Sequence, residues 1–388
     1  MRSMVEGCPP IERATPLPPG FAQPPPLAGE EWGQPRNLLH WCGGRARARA
    51  SLTSFESIMA TDATAADQIA RFVADLTLLH DPHADAAPLL LAVSGGPDSM
   101  AMLTLAAAAF PGRIAVATVD HGLRPEAADE VRMVADHCAQ LGVPHHGLRP
   151  ETPINGASIQ SQAREVRYAL LAAQARAIGA AAILTAHHAD DQAETFLMRA
   201  ARGAGLSGLS GVRARTVIAD MVVLRPLLDW RRAELRRIVR RAEAPFVDDP
   251  ANHDPRHDRT RFRQLLDGHE WLGVAQLARA AAQLAEADTD LRATVDWLWA
   301  DRAQIDGDNV RIQAADLPRE LGRRLARRAI GTVRAAAGIE SPAWSEGSNI
   351  EKLLESLAQG SRATQAGVIA SVRSGVWRFR PAPPRKTG

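Results

Sequence analysis

Between Pro88 and Ala201, short apolar runs alternate with stretches whose apolar positions recur every three or four residues. The runs are LLLAV (89–93), RIAVATVD (113–120), VPHHGL (143–148) and AAILTAHH (181–188), and each is followed by a helical pattern, at 97–110, 126–141, 158–178 and 189–201. Apolar runs of this length bounded by turn residues predict strands buried on both faces, and the helical stretches are long enough to cross over between parallel neighbours. The expected fold class is therefore α/β, a doubly wound parallel sheet covered on both faces. Ligands of such sheets gather at the carboxyl ends of the strands. Four polar clusters fall there or soon after: Ser94–Ser99, Asp120–Arg124, the segment leading to Arg164, and His187–Glu194.

The ends of the chain read differently. Nine prolines precede position 36 and no apolar period builds a core there, so residues 1–58 are expected to be a disordered extension, with Met59 the more natural start. Past Asp229 the pattern is helical, and a short strand-bearing tail begins near 306. The expected organisation is an extension (1–58), a catalytic α/β domain (59–228), a helical segment (229–305) and a small C-terminal domain (306–388).

Composition narrows the classes. Of 388 residues, 46% are apolar and 23% charged, and no run of about 18 uncharged apolar residues is present, so no membrane partner is expected. The three cysteines, Cys8, Cys42 and Cys138, are far apart and form no Cys-x-x-Cys pair, which argues against a disulfide framework or a cysteine metal site and fits a cytoplasmic setting. The net charge of +2 is too mild to imply nucleic acid by itself. Its makeup says more: only Lys352 and Lys386 are lysines, so 44 of the 46 basic residues are arginines, whose planar fork matches phosphate oxygens. Six of them lie in WRRAELRRIVRR (230–241) against Glu234 alone, and residues 317–388 carry thirteen basic groups against five acidic ones. Each cluster reads either as a solvated face or as a grip on a polyanion.

The densest chemistry is in LLLAVSGGPDSMAML (89–103). A strand ending in Ser94-Gly95-Gly96-Pro97-Asp98-Ser99 and running into an Ala/Met/Leu helix offers bare backbone N–H groups, two hydroxyls and a helix N-terminus to one anion, which predicts a phosphate loop. No Gly-Lys pair occurs, which excludes a Walker loop. Asp98 beside phosphates implies a Mg²⁺ carried with a nucleotide. In HHADDQAET (187–195) Asp190 and Glu194 fall one turn apart, with Asp191 three before Glu194, and predict either a capped helix start, an acidic wall for a cationic substrate, or a Mg²⁺ site. A zinc site on His187 and His188 is disfavoured, because neighbouring side chains diverge at a strand end. Gly203-Ala204-Gly205-Leu206-Ser207-Gly208 spells a dinucleotide fingerprint but follows a helix instead of a strand, so it predicts a connector.

Together these motifs resemble a known family. Ser94–Ser99 is similar to the pyrophosphate loop of the N-type ATP pyrophosphatases, whose fold is of the adenine nucleotide alpha-hydrolase-like kind. VDHGLR (119–124), AREVRY (163–168), HHADDQAET (187–195), RGAGLSGLSG (202–211), RPLLDWRRAEL (225–235) and VDDPANHDPRHDRTRFR (247–263) narrow the resemblance to the tRNA(Ile)-lysidine synthetases. That resemblance implies ATP-dependent attachment of free L-lysine to the wobble cytidine of a CAU-anticodon tRNA(Ile), with AMP and pyrophosphate released. It implies that Ser94, Gly95, Gly96, Pro97, Asp98 and Ser99 bind ATP, with Asp98 on Mg²⁺. It makes His121, Arg124, Asp98, Asp191 and Glu194 the catalytic set, and Arg164, His188, Asp190, Asp191 and Glu194 the surroundings of the lysine and cytidine. Arg167, Arg199, Arg202, Arg231, Arg259, Arg261 and Arg263 are the implied tRNA contacts, and a second copy of the chain is a further candidate partner. Two departures bear on local tRNA contacts: Thr118 stands where the family has histidine, and Thr260 where Arg-Asn-Arg is expected. Two rival readings are a tRNA thiolase of the same fold, which would need cysteines to carry sulfur, and a non-catalytic tRNA-binding protein, which has no use for the acids.

Overall fold

The structure, a computed structural model, describes residues 63–82, 86–122, 126–154, 159–248, 258–345 and 347–383. The expectations for residues 1–58 and for Arg124 lie outside them. After helix α1 (Ala63–Thr77) the chain alternates β1 (Leu89–Ala92), α2 (Pro97–Ala109), β2 (Ile114–Val119), α3 (Ala127–Leu141), β3 (His145–Leu148), α4 (Ile159–Ala177), β4 (Ala182–Leu184) and α5 (Ala189–Ala200). The predicted strands and helices are all present. They build one sheet in the order β3-β2-β1-β4-β6-β5, its last two strands being β5 (Arg215–Ile218) and β6 (Met221–Leu224). All pairs are parallel except β5–β6.

Burial explains the register. Leu89, Leu91, Val116 and Leu184 face one core with α1 and α2, while Leu90, Ala115, Ala117 and Ile183 face a second with Tyr168, Leu171 and Ala172 of α4. Both faces of each central strand are thus apolar, as continuous rather than alternating runs require. The β5–β6 hairpin was not legible beforehand. Its turn residues, Ala219 and Asp220, both adopt positive φ (49° and 62°), a geometry that Asn-Gly or Asp-Gly normally announces.

Beyond a short α6 (Leu206–Leu209), the helical segment holds α7 (Arg232–Arg241), α8 (Asp258–Asp267) and the 29-residue α9 (Val274–Arg302). The tail is a five-stranded antiparallel sheet in the order β7-β8-β11-β10-β9, made by β7 (Ala303–Asp306), β8 (Asn309–Gln313), β9 (Ala363–Gln365), β10 (Val368–Arg373) and β11 (Val376–Pro381). Helices α10 (Arg319–Ala336) and α11 (Glu351–Ala358) supply Leu325, Ile330, Leu353 and Leu357 to a core against Val310, Ile312, Val368 and Phe379. No helix among the described residues is long and apolar enough to cross a membrane.

One carboxylate ties these parts together. Asp288 of α9 is fully buried, accepts from Arg292 Nε (3.0 Å), Arg324 Nη2 (2.6 Å) and Ser207 Oγ (3.2 Å), and also bonds Arg213. Burial disfavours its charge, but the bonds from Arg324 and Arg292 more than offset this and hold its pKa down to about 2. A depressed carboxylate pKa gives stability that is complete above the ordinary value and lost as pH falls towards the native one. Thermal unfolding followed between pH 5 and 2 should therefore fall steeply below pH 4 in the native chain and less steeply in Asp288→Asn, which starts from a lower Tm. Parallel curves would show that Asp288 does not carry the effect.

Candidate active site

The phosphate loop leaves β1 and turns sharply at Gly95, whose φ of +83° suits glycine alone, with Met133 Cε only 3.2 Å from where a Cβ would stand. Gly96 caps α2 in extended geometry and Pro97 occupies the first turn, so the N-terminus of α2 opens onto the loop. Ser99 Oγ accepts from Ser94 N (3.2 Å) and donates to Gly96 O (2.9 Å), which fixes the curve from inside. Val247 N donates to Gly95 O at 3.0 Å and fastens it from outside. Asp98 sits in the first turn with its Oδ1 buried and without a hydrogen-bond partner. A buried carboxylate oxygen of this kind suits a cation, so Asp98 fits the Mg²⁺ inferred from the sequence.

Opposite lies the start of α5. His188 is its N-cap: Nδ1 accepts from Asp191 N (3.3 Å), and Asp191 Oδ2 accepts from His188 N (3.1 Å). With Nδ1 accepting, the neutral ring carries its proton on Nε2, 3.4 Å from Asp98 Oδ2. Burial opposes a charge on His188, yet the carboxylates of Asp191, Asp98 and Asp190 outweigh it and raise its pKa. Burial likewise opposes ionisation of Asp191, but His188, Arg259 and His187 prevail and hold its pKa below the usual value. His187 points elsewhere, with Nδ1 3.0 Å from Thr185 Oγ1, and burial depresses it to about 4. The two histidines do diverge. Among the described residues no group of three His, Cys, Asp or Glu side chains is arranged to hold a metal ion.

Between loop and helix opens a cleft of about 250 Å³, lined by Ser94, Gly96, Asp98 and Ser99 on one side and by His187, Asp191 and Arg259 on the other. Arg164, Arg167 and Tyr168 close it. Arg164 lies 5.0 Å from the centre of the Tyr168 ring, and Arg167 Nε donates to His121 Nε2 at 3.4 Å. Burial keeps the His121 pKa low, helped by Arg167, and its Nδ1 is buried with no partner.

Several residues expected to meet ligands are also engaged within the protein. Glu194 is fully buried and faces three guanidinium groups: Arg263 Nε at 2.8 Å, Arg259 Nε at 3.2 Å and Arg232 Nη1 at 3.8 Å. Asp190 accepts from Arg231 Nε and Nη2, both at 3.2 Å, and from Arg232 N at 2.9 Å. The acidic wall is therefore split. Asp191 faces the cleft, whereas Glu194 and Asp190 clamp α7 and α8 onto α5, because a carboxylate one turn inside a buried helix finds cations more readily than water. The same contacts occupy Arg231, Arg259 and Arg263. Arg199 Nη1 holds Gly208 O (2.7 Å) and Gly211 O (3.1 Å), and Arg202 pairs with Asp258 at 2.6 Å. Of the seven arginines expected to meet tRNA, Arg261 alone is exposed with no hydrogen bond or ion pair among the described residues, while Arg167 holds His121 at the cleft.

Reading the sequence assigns no individual role to Tyr168, Arg232 or Arg225, and weighs His187 only as a zinc ligand. Tyr168, the only tyrosine, was visible but unweighted. Arg225 is 3% exposed and donates to Arg213 O (2.6 Å), a contact that no local pattern announces. The departures from the family pattern are absorbed by packing: Thr118 Oγ1 sits 3.0 Å from His145 Nε2, and Thr260 is buried.

A parallel sheet whose first strand ends in a glycine turn and helix start, facing a second helix start across one cleft, defines a PP-loop ATP-utilising protein. Comparison agrees, since the PP-loop domain family matches residues 61–269. The tRNA(Ile)-lysidine synthase of Zymomonas mobilis is 42% identical over 305 residues, which covers 76% of this chain and 89% of that protein. That of Novosphingobium aromaticivorans is 43% identical over 324 residues, or 82% and 94%. Among solved structures, the U34-tRNA thiolase of Methanococcus maripaludis is 16% identical with a TM-score of 0.45, over 56% of this chain and 80% of that one. The chain belongs to the tRNA(Ile)-lysidine synthase family, a family of enzymes.

Proposed function

We propose that the chain joins free L-lysine to carbon 2 of the wobble cytidine, position 34, of CAU-anticodon tRNA(Ile), consuming ATP and changing the codon read from AUG to AUA. The observation that carries this reading is the cleft that sets the phosphate loop and Asp98 against Asp191. In the first step the cytosine O2 attacks the α-phosphate and pyrophosphate leaves. In the second the lysine ε-amine attacks carbon 2 and AMP departs with the oxygen, so a poor leaving group is replaced by a good one.

The residues divide the work. Backbone N–H groups of Gly95 and Gly96 and the N-terminus of α2 hold the phosphates, with the Ser94 N–H and Ser99 shaping the loop from inside. A Mg²⁺ bound with the triphosphate would rest on Asp98 and neutralise charge on the departing pyrophosphate. Asp191, kept ionised, is the carboxylate that receives the lysine ammonium. Arg164, Arg167 and Arg259 around the same cleft steady phosphate oxygens and favour the neutral, nucleophilic amine over its charged form. His121 accepts from Arg167 through Nε2, which leaves Nδ1–H to donate to the base.

The rivals fare worse. Cys138 is buried and its thiol is pushed up to about 12, so it forms no thiolate to carry sulfur; Cys8 and Cys42 lie outside the described residues. A protein that only binds tRNA gives no account of Asp98 and Asp191 converging on one cleft. Incubation with ATP and transcript tRNA should release pyrophosphate, and AMP should appear only when lysine is added; norleucine, which lacks the charged end, should not replace it. AMP release that needs a sulfur donor instead of lysine, or no nucleotide turnover at all, would refute the reading.

A further inference from the structure

Asp191 and His188 are only as well placed as the first turn of α5, and a strap of chain, residues 229–232, holds that turn from outside. Trp230 O accepts from Ala189 N, the first helical N–H after the His188 cap, at 2.9 Å. Arg232 N and the Arg231 guanidinium bond Asp190. Three consecutive residues of the strap thus grip Ala189 and Asp190, the two that lie between His188 and Asp191.

The strap joins β6 to α7 outside any strand pairing, so its own position needs a support. That support is α1, a helix outside the strand–helix alternation of the sheet. Trp230 is fully buried, and its indole Nε1–H donates to Asp75 Oδ2 of α1 at 2.7 Å, the partner that a buried indole requires. Arg71, one turn before Asp75, lies 4.2 Å from the centre of the Trp230 ring, donates to Asp229 O at 2.9 Å and pairs with Glu234 Oε1 at 3.3 Å. The other Glu234 oxygen accepts from Arg231 N at 2.7 Å. Residues 229, 230 and 231 are therefore each tied to α1, directly or through Glu234. Burial raises the Asp75 pKa against the pull of the indole bond and Arg71, so a carboxylate is kept here at some cost. The phosphate loop is held by other means, the bonds of Ser99 from inside and Val247 from outside, which involve neither Trp230 nor Asp75.

We propose that Asp75 and Trp230 are positioning residues for the amine-transfer half of the reaction: the carboxylate–indole bond sets the strap, the strap sets the first turn of α5, and that turn aims Asp191 at the incoming ammonium. The inference rests on the reaction proposed above for the role of Asp191. Misplacing a reacting group by about 1 Å costs up to about a hundredfold, so a bond made away from the cleft has leverage on the chemistry inside it.

The test compares the native chain with Asp75→Ala, Trp230→Phe, the two combined, and Asp75→Asn. Each of the first two should raise the lysine KM about tenfold, while pyrophosphate release from ATP and tRNA without lysine stays within about twofold. The combined variant should be no worse than the weaker single one, because both remove the same bond. Asp75→Asn, whose amide oxygen still accepts from the indole, should return the lysine KM to within about twofold of native. Amide exchange over residues 187–193 should quicken in Asp75→Ala and Trp230→Phe, with residues 94–100 unchanged. A fall in Tm at unchanged lysine KM, an equal loss of both half-reactions, or additive effects of the two substitutions would reduce the pair to general packing and overturn the proposal. Failure of the native chain to use lysine would strike at the proposed reaction instead. Exchange over 187–193 then decides the brace alone, and native exchange in both single variants would overturn it.

Discussion

Asp98→Asn is expected to lower AMP and pyrophosphate release by about a thousandfold or more while tRNA binding stays within about twofold. The substitution preserves shape, so the loop held by Ser99, Ser94 and Val247 keeps its curve. What is lost is charge. The buried Oδ1 has no protein partner, so an amide there deprives no protein group of a bond, but it gives up the ionic anchor for a cation worth several kcal/mol in the transition state. At about 1.4 kcal/mol per factor of ten this loss reaches a thousandfold. Nucleotide release and filter binding on one preparation decide the matter. Equal loss of both, together with a fall in Tm of several degrees, would mean that Asp98 supports the fold rather than the reaction.

The parallel sheet and phosphate loop were legible because both are local. A strand buried on both faces must be apolar throughout, and a glycine turn between strand and helix has few alternatives, so Leu89–Ser99 reads correctly in isolation. The partnership of the acids was not local. Asp190 and Glu194 look alike in sequence to Asp191, and only the return of α7 and α8 across α5 decides that two of the three meet arginines while one meets the cleft. The same return makes Arg231, Arg259 and Arg263 counter-ions of those acids. Charge runs show how many cations a segment holds, whereas their free surface depends on which carboxylates the fold brings to them. The tail shows the converse: its thirteen basic residues read equally as a solvated face or a grip on a polyanion, and the sheet register brings three of them, Arg373, Arg378 and Arg380, onto one face with Arg311.

Glu194→Gln is the substitution expected to damage the protein most. Its carboxylate is the shared counter-ion of Arg232, Arg259 and Arg263, and its side chain is 1% exposed. Neutralising it leaves three guanidinium groups around a buried amide, and breaking a buried pair in this way typically costs about 3–5 kcal/mol. A domain of this size loses roughly 2–4 °C per kcal/mol, so Tm should fall by about 6–20 °C. Activity should fall with it, since Arg259 also lines the cleft and is aimed by Glu194. A Glu194 that met lysine directly, as the sequence suggested, would behave differently: its replacement would raise the lysine KM ten- to hundredfold and leave Tm almost untouched. The second variant Glu194→Gln/Arg263→Gln separates these cases. Removing one of the stranded cations should restore several degrees of Tm if the carboxylate serves as a clasp between α5 and α8, and a double variant no more stable than the single one, with lysine KM as the only altered quantity, would return Glu194 to the substrate.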